Sequence, residues 1–340
     1  MGSDPSVKKY FFNIKKKIDM PNITFDTLIT GLNQYAVRSS KDIHKLINEN
    51  LEWENPARYR PADLSWVERN ATIDDVLQPY QAEINSVKGA TTWSGVETTL
   101  EDGMILTKFE QRDLDQFVRT QQFRNRQLEK DITEQDLYGV IMNDLIVPKL
   151  KENLNRVAFS GQRVNPTAGT PGAMLTTFTG YNKRFSDAVA AGSIVPLPTG
   201  AITAANIYDK VITMCEGIPD WLRYKSGKVY MSKTNVQRFV NKVISDNRYT
   251  YIPGQSMDMY EIVPGYYKQL VGLDSMAGSN RIFIELDEHP STLVVTDMYQ
   301  PALPTLRVHK ANVFTMHVYA PLRRGFGLTY NESTFINDQV

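Results

Sequence analysis

The chain has 340 residues, 41% hydrophobic and 22% charged, with 38 lysines and arginines against 38 aspartates and glutamates. That composition is an ordinary globular one, long enough for one large domain or a few packed ones, and the zero formal charge makes no overall case for nucleic-acid binding. No apolar run approaches the roughly 18 to 20 residues that cross a bilayer, and Cys215, the single cysteine, excludes an internal disulfide and a multi-cysteine zinc site.

The first twenty residues carry Lys8, Lys9, Lys15, Lys16 and Lys17 against Asp4 and Asp19, five minus two, a local charge of +3. Tyr10, Phe11 and Phe12 sit among those lysines. An arm that touches nucleic acid or a partner chain fits this pattern, and so does a solvated, partly helical lead-in. Through Trp53, Pro56, Pro61 and Trp66 the sequence reads as irregular, with short helical pieces around Lys41–Asn48 and Ile73–Leu77. It has the character of an arm draped over something. Residues 93–109, WSGVETTLEDGMILTKF, then read as a long hairpin whose two arms meet at Asp102-Gly103, a dipeptide suited to tight reversal. Two strands alone bury too little to offset their ordering entropy, so such a hairpin needs a surface to lie on.

Thr133 opens a capping pattern completed by Asp136, and apolar residues follow at Leu137, Ile141 and Leu145, then at Leu150, Leu154 and Val157. Pro148 interrupts the run, which predicts a kinked helix or two helices end to end, closing at Gly161 in a Gly-Pro-rich loop. A second helical pattern, Ile207, Val211 and Met214, stops at Gly217 and Pro219. KVYMS (228–232) predicts a buried strand, followed by a helix through Val236, Phe239, Val240 and Val243. Cys215 is expected on the packed face of the preceding helix, as a small buried hydrophobe. The last third is strand-rich: RIFIEL, TLVVTDM, TLRVHKANVFTMHVYA and GFGLTY. The order of elements predicts an α+β fold and not the strict alternation of a doubly wound sheet.

A search for chemistry finds little. There is no GxxxxGK[ST] phosphate loop, no GxGxxG after a strand, and no cofactor motif. Around Ser275 the sequence GLDSMAG places Leu273 and Ala277 where a nucleophile elbow has glycines. The four histidines, His44, His289, His309 and His317, form no HExxH, and each is expected to be a surface or core residue. Leu286–Pro290, LDEHP, clusters two carboxylates and a histidine, most simply in a solvated turn. No metal site, catalytic group or cofactor is assigned. Arg323-Arg324, beside a strand, suits ion pairs across a subunit contact.

The order of the pieces carries more information than any one of them. A basic arm, a long hairpin, a long helix ending in SG and a Gly-Pro loop come first. TAANIYDKVITM, KVYMSKTNVQRFV, QLVGLDSMAGSNRIFIE and PTLRVHKANVFTMHVYAPLRRGFGLTYNESTFI follow. From about the hairpin onward this resembles the major capsid proteins of tailed, double-stranded-DNA bacteriophages, the Hong Kong 97-type shell fold.

The resemblance implies an N-terminal arm over 1–86 and an extended loop over 87–132. It implies a peripheral domain over 133–202 and 287–340, with a spine helix and long strands, and an axial domain over 203–286. The extended loop would lie on the adjacent subunit. Trp93, Glu97, Leu100, Asp102, Gly103, Ile105 and Lys108 on the loop, with Arg323 and Arg324, become candidate subunit contacts. Lys8, Lys9, Lys15, Lys16 and Lys17 become a possible DNA-facing arm. The implied partners are copies of the same chain, in hexamers and pentamers closing an icosahedral shell, and packaged DNA held without sequence specificity. Scaffold, portal or decoration proteins are further partners of the family, and no membrane is involved. The implied location is the virion, after assembly in the cytoplasm of a bacterial host. Two other readings stay open: an encapsulin-type compartment shell, and a soluble α+β enzyme using Ser275 or the LDEHP turn.

Overall fold

The computed structural model describes residues 25–48, 51–53, 57–73, 89–127, 138–246, 262–288, 290–299, 306–329 and 334–339. The lysines at 8, 9, 15, 16 and 17, the capping Thr133 and His289 lie outside them, as do residues 74–77 of the short helical piece placed at Ile73–Leu77.

The first element is one the sequence reading passed over. Helix α1 (Phe25–Arg38) buries Phe25, Leu28, Ile29, Leu32 and Ala36 along one face, the spacing of a helix covered on one side. Helix α2 (Ser40–Asn48) follows where a helical piece was expected. Both join the main core together with Leu51 and Trp53, whose ring centroid lies 4.7 Å from that of Phe326. Beside Trp53, the Glu52 carboxylate accepts the backbone N–H groups of Asp274 and Ser275 at 2.7 and 2.9 Å. These residues of the arm are draped over the chain's own body.

Strand β1 (Arg58–Ala62) is followed by β2 (Ser65–Ile73) and β3 (Thr91–Thr99). The last two pair antiparallel, with Ser65 opposite Thr99 and Ile73 opposite Thr91. Strand β4 (Glu101–Glu110) instead runs antiparallel to residues 315–324, with Asp102 opposite Arg323 and Gly103 opposite Leu322. This corrects the expected hairpin. β3 and β4 are not partners, Asp102-Gly103 lies within a strand, and β3 forms its antiparallel hairpin with β2. Gly103 serves close packing, since a Cβ there would stand 2.7 Å from the side chains of Phe178 and Thr177. The alternation along β4 then sorts Ile105, Thr107 and Phe109 inward and Met104, Leu106 and Lys108 outward, as in a strand with one covered face.

Helix α3 (Gln111–Gln127) leaves the end of β4. Further on, a seven-residue π-helix (Val140–Ile146) runs into α4 (Val147–Ser160), which has Pro148 in its first turn. The expected irregularity is thus a widened turn just ahead of the proline. Pro148 has no N–H to bond back and its ring crowds the carbonyl four residues earlier, which the wider turn accommodates. Helices α5 (Tyr181–Ala190), α6 (Ile207–Glu216) and α7 (Asp220–Arg223) lead to β5 (Gly227–Ser232). The Ser232 hydroxyl accepts the Asn235 N–H at 3.3 Å and starts α8 (Lys233–Ser245), as the sequence indicated. β6 (Lys268–Leu273), β7 (Phe283–Leu286), β8 (Thr292–Asp297), β9 (Arg307–Asn312), β10 (Thr315–Leu328) and β11 (Phe335–Ile336) complete the described chain.

Two larger sheets result. One runs β1-β8-β10-β4, with β9 also paired to β10, and the other runs β11-β7-β5-β6. One face of the second sheet packs on α4 and α5, with Tyr230, Phe283, Phe159 and Phe185 in ring contact at 4.7 to 6.4 Å. The other face, with Val229, Leu270 and Ile284, joins the residues of α6 and α8 in a second core, where Cys215 is fully buried. Asn337, just past β11, fixes the segment entering β7: its side chain accepts from Ile282 N and donates to Asn280 O, while its carbonyl accepts from Arg281. Next to it, Leu197 donates to Ile336 O at 2.7 Å. The class is α+β.

Candidate assembly surface

The residues with chemically capable side chains are held within the fold by burial or hydrogen bonds. Burial pushes the Cys215 thiol up to about 12, the behaviour of a desolvated core cysteine. Ser275 is held by Glu52 through its backbone N–H and its hydroxyl. Of the LDEHP turn, Glu288 accepts from Lys225 at 2.6 Å. Among the described residues no group of three His, Cys, Asp or Glu side chains is placed to hold a metal.

What stands out instead is uncovered strand surface. The β2–β3 hairpin is a two-stranded sheet of its own. Its base is anchored where Thr98 and Thr99 cross Gly325 and Gly327 of β10, positions at which a Cβ would collide with β3. Trp66 and Leu100 pack there on Ala62, Leu293 and Val295. Beyond the base, Val67 (47% exposed) and Trp93 (73%) share one face with Arg69, Glu97 and Ala71. A tryptophan left in water at that position forgoes roughly 3 kcal/mol of burial.

The second uncovered surface is the outward face of β4, β10 and β9. Strand register puts its residues in rows: Asp102 with Arg323, Met104 with Pro321, Leu106 with Tyr319 and Arg307, and Lys108 with His317 and His309. Met104 is 71% exposed and Leu106 52%. The middle rows are mostly apolar, with Arg307 at one margin, and the end rows carry Asp102 with Arg323 and Lys108 with the histidines, the layout of an interface with a polar rim.

The candidate residues fall into these surfaces unevenly. Trp93 and Glu97 are exposed on the hairpin, and Leu100 is half-buried at its base. Gly103 and Ile105 face inward, whereas Lys108 faces out and pairs with Glu110 at 3.0 Å. Asp102 and Arg323 meet within one chain at 2.8 Å, and Arg323 also reaches Asp297 at 3.2 Å. Arg324 is buried, its guanidinium donating to Arg323 O, and burial pushes it below its usual value. The ion pairs of Arg323 therefore tie β10 to β4 and β8 within one chain. Met104, Leu106, Tyr319 and the two histidines were not singled out from sequence. The alternation along β4 could have found the first two.

Compared by sequence, the chain matches no protein-family model and no curated protein. Compared by structure, it is similar to a chain of the satellite phage P4 procapsid including size determination (Sid) protein. The TM-score is 0.55 at 10% identity, over 88% of this chain and 90% of that one. A chain of the capsid of a native GTA particle superposes with a TM-score of 0.53 at 14% identity, over 84% of this chain and 95% of that one. The fold is the Hong Kong 97-type capsid fold. Both likenesses run over most of each chain, so the Hong Kong 97-type fold accounts for nearly all of this one.

Proposed function

We propose that the chain is the major shell protein of a tailed, double-stranded-DNA bacteriophage, assembling through its own copies into hexamers, pentamers and a closed icosahedral capsid. The observation that carries this reading is a near full-length capsid fold bearing a hairpin that is covered only at its base. In this assignment Ser65–Thr99, and not residues 87–132, is the extended loop. The helix ending at Ser160 and the β1-β8-β10-β4 sheet form the peripheral part, and 203–286 the axial part. The hairpin lays its Val67–Trp93 face on a neighbour, and the neighbour's surface supplies the missing burial, so folding of the hairpin and association are coupled.

Each copy touches several others, so modest contacts sum to a durable container. A formally neutral chain suits a wall that holds DNA without gripping it. The basic segment at residues 8–17 is the part suited to face the DNA. Scaffold, portal or decoration proteins would be its further partners, in the cytoplasm of a bacterial host.

Negative-stain microscopy of the expressed chain tests the reading: shells, tubes or rings of capsomers are expected, and a monodisperse monomer at high concentration counts against it. Nucleic acid inside purified particles separates a phage capsid from an encapsulin-type shell, which holds protein. A monomer with a substrate-dependent activity lost on changing Ser275 is the outcome that favours an enzyme.

A further inference from the structure

The β9–β10 turn at Val313-Phe314 brings together two residues that are eight apart in sequence. His309 and His317 are directly opposite in the antiparallel register, on the outward face of the sheet. Their ring centroids are 5.5 Å apart with planes at 85°, and Tyr319 stands edge-on to His309 at 5.0 Å. His309 is exposed and His317 half-buried. Among the described residues no hydrogen bond engages either imidazole. The geometry points to a site for a divalent transition metal of the zinc, nickel or copper class, chelated by His309 and His317.

Neutral imidazole is a good ligand for these ions. Two Zn–N bonds of about 2.0–2.1 Å in tetrahedral geometry put the ligating nitrogens about 3.4 Å apart. Rings with centroids 5.5 Å apart reach that spacing by rotating their side chains, without moving the strands. Two protein ligands leave the remaining positions to water, as in an open site. The surrounding charges are mixed. Lys108 stands opposite His317 and opposes a cation, but its ammonium is paired with Glu110, which the register places one row further along the same face. Arg307, opposite Tyr319, adds a second cation. A bound ion would tie β9 to β10 and stiffen the turn that carries the exposed Val313 and Phe314. This inference does not depend on the proposed shell function.

The test is calorimetric titration of the full 340-residue chain with zinc, nickel or copper chloride at pH 7.5, with magnesium chloride as the control. Saturable binding of one transition ion per chain is expected, together with a metal-dependent rise in Tm and no response to magnesium. His309→Gln and His317→Gln should each weaken binding by about tenfold or more, and the double variant should be little worse than either, because a chelate lost once is lost. Lys108→Gln keeps both ligands and removes the opposing ammonium, so it should strengthen binding, a direction that misfolding cannot imitate. Unchanged affinity in the double variant, which retains His44 and His289, would overturn the proposal, as would weaker binding in Lys108→Gln.

Discussion

Asp102 and Arg323 face one another across β4 and β10, Nε to Oδ1 at 2.8 Å, and the same guanidinium reaches Asp297 at 3.2 Å. The two carboxylates are not equivalent, because the Asp102 side chain is 75% exposed and that of Asp297 only 9%. Asp102→Ala is expected to cost well under about 1 kcal/mol, as exposed ion pairs do. Arg323→Ala should cost about 1–2 kcal/mol, because it strips a buried carboxylate of its partner. Urea unfolding of the two variants side by side measures the difference, and equal losses would contradict the asymmetry.

Gly103 sits where a side chain has no room. Gly103→Val is expected to destabilise the subunit itself by about 1–3 kcal/mol through overpacking against Phe178 and Thr177. The measurement is the urea midpoint of the unassembled chain. A variant that folds as stably as the parent but assembles poorly would restore a turn-like role for this position.

Trp93→Ala should behave in the opposite way. The side chain is largely exposed in the single chain, so its loss should move subunit stability by no more than about 0.5 kcal/mol. Under the proposed function particle yield, read by sedimentation or light scattering, should fall, because a neighbouring copy would complete the contact. Undiminished yield would separate this residue from the subunit interface.

Asp338 accepts hydrogen bonds from Gln339, from the Thr199 hydroxyl and N–H, and from Gly200 N–H, which together hold its carboxyl well below the usual carboxylate range. A depressed folded value means that this stabilisation is fully present above the unfolded value of about 3.9 and is lost progressively as pH falls below it. Asp338→Asn should therefore be less stable than the parent at pH 7, and the gap should narrow between about pH 4 and pH 2. A gap that stays constant across that range would show that the charge is irrelevant.

The local parts of this fold were readable and the distant pairings were not. KVYMSKTNVQRFV announced a strand, a serine cap and a helix, because each signal lies within a few residues of its effect. The stripe Leu28, Leu32, Ala36 carried the same kind of signal for α1 and was passed over among polar neighbours. Residues 91–110 alternate as strands do, but alternation does not name a partner. Here the partners are β2 and β10, the latter more than two hundred residues away, and Asp102-Gly103 looked like a turn only while its neighbours were unknown. The same limit hid the two histidines. Their meeting depends on a turn centred at Val313-Phe314, marked in the sequence by Asn312 alone, whose side chain accepts the Phe314 N–H, with no glycine beside it. Most of the assembly surface was invisible because exposure is a property of the packed chain.

The stitch made by Ile336, Asn337 and Asp338 has a consequence for timing. Leu197, Thr199, Gly200 and Ile282 wait for these late residues to satisfy their backbone N–H groups. A ribosome must therefore have reached residue 338 before the 197–200 segment and the start of β7 can be fixed in place. Prematurely terminated polypeptides would leave that seam open, and a lattice built from identical copies would have a means of refusing them.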